Sequence, residues 1–222
     1  MVQGRVRIAH VSSQGPESME AEEQNPSRRE RRRLEVRARV LDAAWDLFES
    51  QGYDTTTVAE ICRRADIAYG TFFNHFAEKH EVLRMMAEQA ISRLEGMLEN
   101  LAKQDGSIEA HLIELFESPG REHGNDEQLR RDLLGRIYAI AYSESPEDHD
   151  RRYHAAFERY MEESVARGRV RSDAPIETLA DIVASMMGSF TLSWVHFEDF
   201  PMQDRARSAA RVLAESLRPA AP

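Results

Sequence analysis

The sequence predicts an all-α protein, with an N-terminal three-helix domain built around a helix-turn-helix, followed by a larger helical domain. Three observations carry that expectation. Apolar residues recur at helical spacing, as at Leu41, Ala44, Trp45 and Phe48. Glycines and prolines (Gly52, Gly106, Pro146, Gly168, Pro175, Pro201) fall in or beside the gaps between such stretches. No segment shows a convincing strand alternation, and no internal repeat is present.

The elements follow in order. Residues 1–27 have mixed polarity and little periodicity, and are expected to be a disordered extension. From Arg28 the pattern turns helical, ending at Gly52. Thr57 opens a second, short helix: with Glu60 three residues on it forms a capping box, in which hydroxyl and carboxylate satisfy orphan amides reciprocally. Val58, Ile61, Cys62 and Ala65 supply its apolar face. Asp66-Ile67-Ala68 reads as a tight turn, and 69–76 as a third short helix. A long helix runs from Glu78 to about Gln104, and further helices are expected over 107–117, 126–143, 148–167, 175–197 and 203–218. The domains are therefore set at 28–80 and 81–222.

Composition narrows the function. No uninterrupted apolar run reaches the roughly 20 residues that cross a bilayer, and residues 1–25 lack the apolar core of a signal peptide. Cys62 is the one cysteine and cannot form an internal disulfide. A cytoplasmic protein without membrane contact is expected. The net charge is −10, yet residues 26–40 hold seven arginines (28, 29, 31, 32, 33, 37, 39) against two glutamates. Such an asymmetry suits a polyanion, though a solvated charge run or a disordered basic tail remains an alternative.

At 100° per residue, Phe72 and Phe76 of the third helix share an inward face. Gly70, Thr71 and Asn74 then point away, flanked by Phe73 and His75. A narrow outer face of small residues fits a major groove about 12 Å wide; the alternative is a short packing helix with an incidental solvent face.

The stretch Gly52-Tyr53-Asp54-Thr55-Thr56-Thr57-Val58-Ala59-Glu60-Ile61, then Ala65-Asp66-Ile67-Ala68-Tyr69-Gly70-Thr71-Phe72-Phe73-Asn74-His75-Phe76-Ala77-Glu78-Lys79, resembles the N-terminal signature of the tetracycline-repressor family of transcriptional regulators. The resemblance covers roughly residues 30–85. It implies that Tyr69, Gly70 and Thr71 meet bases or nearby backbone, that Phe73 and His75 lie against the phosphodiester chain, and that Thr57 and Lys79 donate to phosphates. Asn74 is a candidate for a base edge, and Arg32 and Arg33 belong to an arm that could follow backbone or enter a minor groove. The family commonly has Tyr at the position of Phe73 and a Ser cap at that of Ala68; the latter loss costs about 1 kcal/mol of N-cap. No Arg or Lys stands on the recognition face, so bidentate reading of guanine from that helix is not available.

Ala180, Ala184 and Gly188 form a small-residue stripe, with Met187 and Trp194 adjoining and Leu213 and Leu217 matching on the last helix; these are read as a homodimer interface. Intramolecular packing is the competing role. A two-fold dimer suits a near-palindromic double-stranded DNA operator. Met86, Met97, Phe116, Tyr138, Tyr142, Phe157, Tyr160 and Met161 are candidates to line a cavity for a lipophilic small-molecule effector that releases the operator, although such residues at helical spacing also build ordinary core. The acidic sensing domain leaves a cationic lipophile in view. The expected function is thus a ligand-responsive regulator, a repressor by the family's usual mode, and not an enzyme. No phosphate loop or nucleophile motif occurs, no cofactor is implied, and Asp148, His149, Asp150 and His154 read as a polar segment entering a helix rather than a metal site.

Overall fold

In the computed structural model, which describes residues 27–121, 126–144 and 146–219, every regular element among the described residues is a helix. In chain order they are α1 (Arg28–Gln51), α2 (Val58–Arg64), α3 (Tyr69–Phe73), α4 (Lys79–Lys103), α5 (Ile108–Arg121), α6 (Glu127–Glu144), α7 (Pro146–Ala166), α8 (Ile176–His196) and α9 (Met202–Ser216). Residues 1–26 of the expected disordered extension lie outside the described residues. Ser27, expected as its last residue, is instead the N-cap of α1, its hydroxyl accepting from the Glu30 amide at 3.2 Å.

Local chemistry sets the first four helices. Gly52 ends α1 at φ 87°, where its amide donates to the Phe48 carbonyl. The capping box at Thr57 is present: the Thr57 hydroxyl accepts from the Glu60 amide at 3.3 Å and the Glu60 carboxylate accepts from the Thr57 amide at 2.8 Å. That carboxylate is held below its usual range, chiefly by the Thr57 backbone hydrogen bond. Asp66, at φ 52°, makes the left-handed step that turns α2 into α3. Both short helices are briefer than expected. α3 ends at Phe73, where Asn74 takes the C-cap, and Phe76 reaches the core from the loop beyond.

Two apolar cores form. One joins Val40, Phe48, Ile61, Phe72 and Phe76 of the N-terminal helices to Val82 and Met86 of α4 and to Leu133 and Ile137 of α6. The other lies among α4, α5, α7, α8 and α9 around Leu112, Phe157, Val183 and Ala210. α5 packs on α9, and α7 lies against both α4 and α8. α6 spans both cores, packing against α1 as well as α8. α8 is long and apolar enough to cross a membrane, with a mean hydropathy of 1.2 in its most apolar window. Its Leu179, Val183 and Trp194 are instead buried against the bundle, so its apolarity serves the core.

Candidate nucleic-acid interface and effector cavity

The α2–turn–α3 unit is clamped from below. Phe72 is 0 % and Phe76 1 % exposed, with ring centroids 5.4 Å apart. Holding those two rings inside forces the opposite side outward. Tyr69 is 57 % and Phe73 46 % exposed, with their rings in edge contact at 5.1 Å. Gly70 and Asn74 are exposed, Thr71 is half-buried, and a Cβ at Gly70 would meet no heavy atom within 4 Å. No helix among the described residues covers this face.

The arginine-rich segment is helical from Arg28, as its pattern indicates, and not the alternative disordered basic tail. Residues 28–39 are the first turns of α1, and they wall one side of a broad concavity whose other side is Ile67, Ala68, Thr71, Asn74 and His75. Arg28, Arg29, Arg32 and Arg33 are exposed along it. Two arginines of the run brace the domain instead. Arg37 donates to the His75 carbonyl at 3.3 Å and stacks on Phe76, and Arg39 reaches the Asp66 carbonyl at 3.5 Å.

Three expected phosphate-facing groups are engaged inside the fold. The Lys79 ammonium donates to the carbonyls of Tyr53 (2.6 Å) and Thr56 (2.7 Å) and lies 4.2 Å from the Tyr53 ring centroid. Burial pushes its pKa down. The Thr57 hydroxyl donates to Glu60 at 2.8 Å. His75 is half-buried with Nδ1 inside and unpartnered, and burial together with Arg33 and Arg37 holds its imidazole below the ordinary value. Arg136 of α6 bonds Asp54 at 2.5 Å and lies 5.1 Å from the same Tyr53 ring. Tyr53 is therefore held by cations from both α4 and α6.

A second feature is a cavity of about 230 Å³ between the two cores. Met97 and Tyr138 line it as expected; Met86, Phe116, Phe157, Tyr160 and Met161 do not. These five are at most 2 % exposed and fill the cores, with Met86 packed beneath α2 and α3 and Tyr160 against His111. Burial pushes the Tyr160 hydroxyl up to about 12. Tyr142 faces an outer groove and stacks on Tyr138 at 6.1 Å. Sequence reasoning missed Trp45, Arg93, His149, Tyr153 and Thr191, all of which line the cavity. Trp45 was legible only as one more apolar position of α1. Of the polar segment at 148–154, which lies within α7, His149 faces the cavity and His154 pairs with Asp181 at 2.9 Å.

The stripe read as a dimer surface is corrected by a rotation of α8. Ala180, Ala184, Met187 and Trp194 are buried within the chain, as is Leu217, and Leu213 packs half-buried against the same core. Gly188 is half-buried, near the Tyr153 hydroxyl. The outer face of α8 instead presents Ile182, Ser185, Ser189 and Leu192, with Val212 exposed on α9. Gly188, Ser185, Ser189 and Leu192 line a groove on that outer side.

Residues 40–86 match the family model described as bacterial regulatory proteins, tetR family. TcmR, an HTH-type transcriptional regulator of Streptomyces glaucescens, is 40 % identical over 57 residues, 26 % of this chain and 25 % of that protein. The chain thus spans about a quarter of the length of the relatives it matches in this way. AcnR, an HTH-type transcriptional repressor of Corynebacterium glutamicum, is 24 % identical over 160 residues, covering 69 % of this chain and 79 % of that protein. Among solved structures, a TetR-family regulator from Pectobacterium atrosepticum superposes with a TM-score of 0.66 at 19 % identity, covering 87 % of this chain and 98 % of that one. FadR of Bacillus subtilis, in complex with stearoyl-CoA, gives 0.52 at 16 % identity, covering 82 % and 99 %.

Proposed function

Because the chain belongs, through its N-terminal domain, to the tetR family of bacterial regulatory proteins, we propose that it is a transcriptional repressor that binds a near-palindromic operator as a homodimer and is released by a small molecule in the cytoplasm. The observation that carries this reading is the uncovered face of α3, with Tyr69, Gly70, Phe73 and Asn74 outermost beside the exposed arginines of α1. Thr71 and Asn74 offer hydrogen bonds and a methyl to base edges. Arg32 and Arg33 supply backbone attraction from the flanking helix. Thr57, His75 and Lys79 act on DNA chiefly by fixing the pose of the reading unit, since their polar groups already have tasks within it or are turned inward.

Two copies joined on the outer face of α8 and α9, through Ile182, Ser185, Ser189, Leu192 and Val212, would carry two reading helices to successive half-sites. Repression is supported by the naming of AcnR as a repressor. Small-molecule release is supported by the cavity between the cores, and FadR shows that a protein of this fold takes a ligand. The effector shifts the equilibrium only by its differential affinity for the released arrangement.

Selection of bound sequences from random DNA, followed by gel shifts at low and high salt, tests the reading. An enriched sequence with two-fold symmetry is expected, with affinity falling by about 0.9 logarithmic units per neutralised phosphate for each decade of salt. No enriched sequence would overturn it.

A further inference from the structure

The lining of the cavity has a one-sided electrostatic character. The chain holds 39 Asp and Glu against 29 Lys and Arg, yet among the described residues no carboxylate lines this space, and the charged lining residue is Arg93. The Arg93 side chain is exposed on α4 and its guanidinium carbon lies 5.3 Å from the ring centroid of Trp45. That indole is its one side-chain partner among the described residues. The remaining walls are mostly apolar, as at Ile91, Leu94, Leu134 and Met187, with Ser118, Tyr138, His149, Tyr153 and Thr191 as polar points without a formal carboxylate or ammonium charge.

Size limits the guest. A cavity of about 150 Å³ holds benzene, so 230 Å³ admits one to two rings. A stearoyl chain, with three times the carbons of benzene, does not fit. A cationic guest would meet Arg93 with no carboxylate among the described lining residues to offset it, which disfavours a cationic lipophile.

From this geometry we propose that the effector is a small aromatic monocarboxylate, its ring inside the cavity and its carboxylate on Arg93, and that its binding is felt directly by the DNA-reading domain through Trp45. The inference rests on the regulator reading above and names the ligand class of its sensing site. A carboxylate offers the Arg93 guanidinium a charge-assisted hydrogen bond that the indole face does not. Drawing the guanidinium off Trp45 alters the packing of α1, the helix that braces α2 and α3 and carries the arginine run. The signal then reaches α1 without crossing the length of α4.

The test uses the full chain and three probes of one shape: 1-naphthoate, 1-naphthol and 1-naphthylmethylamine, with stearate as the size control. Binding is followed by tryptophan fluorescence, the chain having two tryptophans, Trp45 and Trp194, and Trp45→Phe identifies which one reports. Naphthoate is expected to bind at least about tenfold tighter than naphthol, equivalent to about 1.4 kcal/mol, and tighter still than the amine. Arg93→Gln should reduce naphthoate to the level of naphthol and leave naphthol unchanged, and Arg93→Lys should restore part of the difference. Naphthol or the amine equalling naphthoate, indifference to Arg93→Gln, or binding of stearate alone would each overturn the proposal. If the protein holds its operator but binds none of the naphthyl probes at about millimolar concentration, the ligand class falls and the regulator stands. If no operator is bound, the regulator reading falls, while the fluorescence titration still decides the chemistry of the cavity.

Discussion

Replacing Gly70 with alanine should move stability and DNA affinity in opposite directions. Gly70 is in α3 and exposed, and an added Cβ would meet nothing within 4 Å in the free protein. The folded chain therefore loses no contact, while the unfolded chain loses conformational freedom, so the substitution stabilises by roughly 0.5 kcal/mol. For a chain of this length that raises Tm by about 1–2 °C. On DNA the same methyl stands on the face proposed to approach the duplex. A displaced or lost contact of about 1.4 kcal/mol per half-site is tenfold, and two reading heads on one operator make it about a hundredfold. Thermal unfolding and gel shifts on one preparation measure both. Unchanged operator affinity with a raised Tm would refute the placement of Gly70 against DNA. A lowered Tm would refute the open space around it.

The remaining perturbations separate grip from scaffolding. Thr57→Ala removes the capping box of α2 and should cost about 1 kcal/mol, read as a drop in Tm of about 2–4 °C. Arg32→Gln should reduce the logarithmic salt slope of operator binding by about 0.9 per half-site, whereas Lys79→Met should lower Tm and affinity together with a smaller change in slope, because its ammonium is bonded to Tyr53 and Thr56. His75, His111 and His149 are all held below the ordinary imidazole value, by burial first in each case. As pH falls through about 6.5 the unfolded chain takes up protons before the folded one, so stability is full above that pH and declines below it; calorimetry from pH 7.5 to 5 should show a falling Tm, lessened in His111→Gln. Leu192→Glu should turn a dimer into a monomer in sedimentation, with little change in the far-ultraviolet spectrum.

Periodicity made the helices legible because each needs one apolar stripe against a core, and Gly52 and the Thr57–Glu60 pair state their own boundaries chemically. The same signal is blind to which of several apolar stripes faces inward. On α8 the alanine stripe is ideal for close approach, but the approach it permits is to the chain's own helices, and the outer stripe of Ile182, Ser185, Ser189 and Leu192 has too little contrast to stand out. The cavity was harder still. Phe157 and Tyr160 look like pocket residues and fill the core, while Trp45 looks like core and lines the pocket. Side-chain type sets what can be buried; only the meeting of four or five helices sets where space is left.

That meeting also offers the proposed effector a route from the cavity to α2 and α3. Two cations from different elements, Lys79 at the start of α4 and Arg136 on α6, hold the same Tyr53 ring, and each adds a hydrogen bond to the 53–56 loop or its Asp54. The loop leads straight into Thr57, the cap of α2. Leu94 and Leu134, in the cavity wall, lie on those same two helices, and Trp45 lies on α1. A guest that spreads α4 from α6 pulls on Tyr53 from two sides, and one that shifts Trp45 turns α1 from beneath. Packed interiors resist small continuous deformation, so either strain is relieved by moving the short α2–α3 unit, which is seated on the core by Ile61, Cys62, Ala65, Phe72 and Phe76 and tied to α1 by Arg37 and Arg39. On the proposed mechanism the α2–α3 unit is the part that moves, because it is the smallest body attached to the junction.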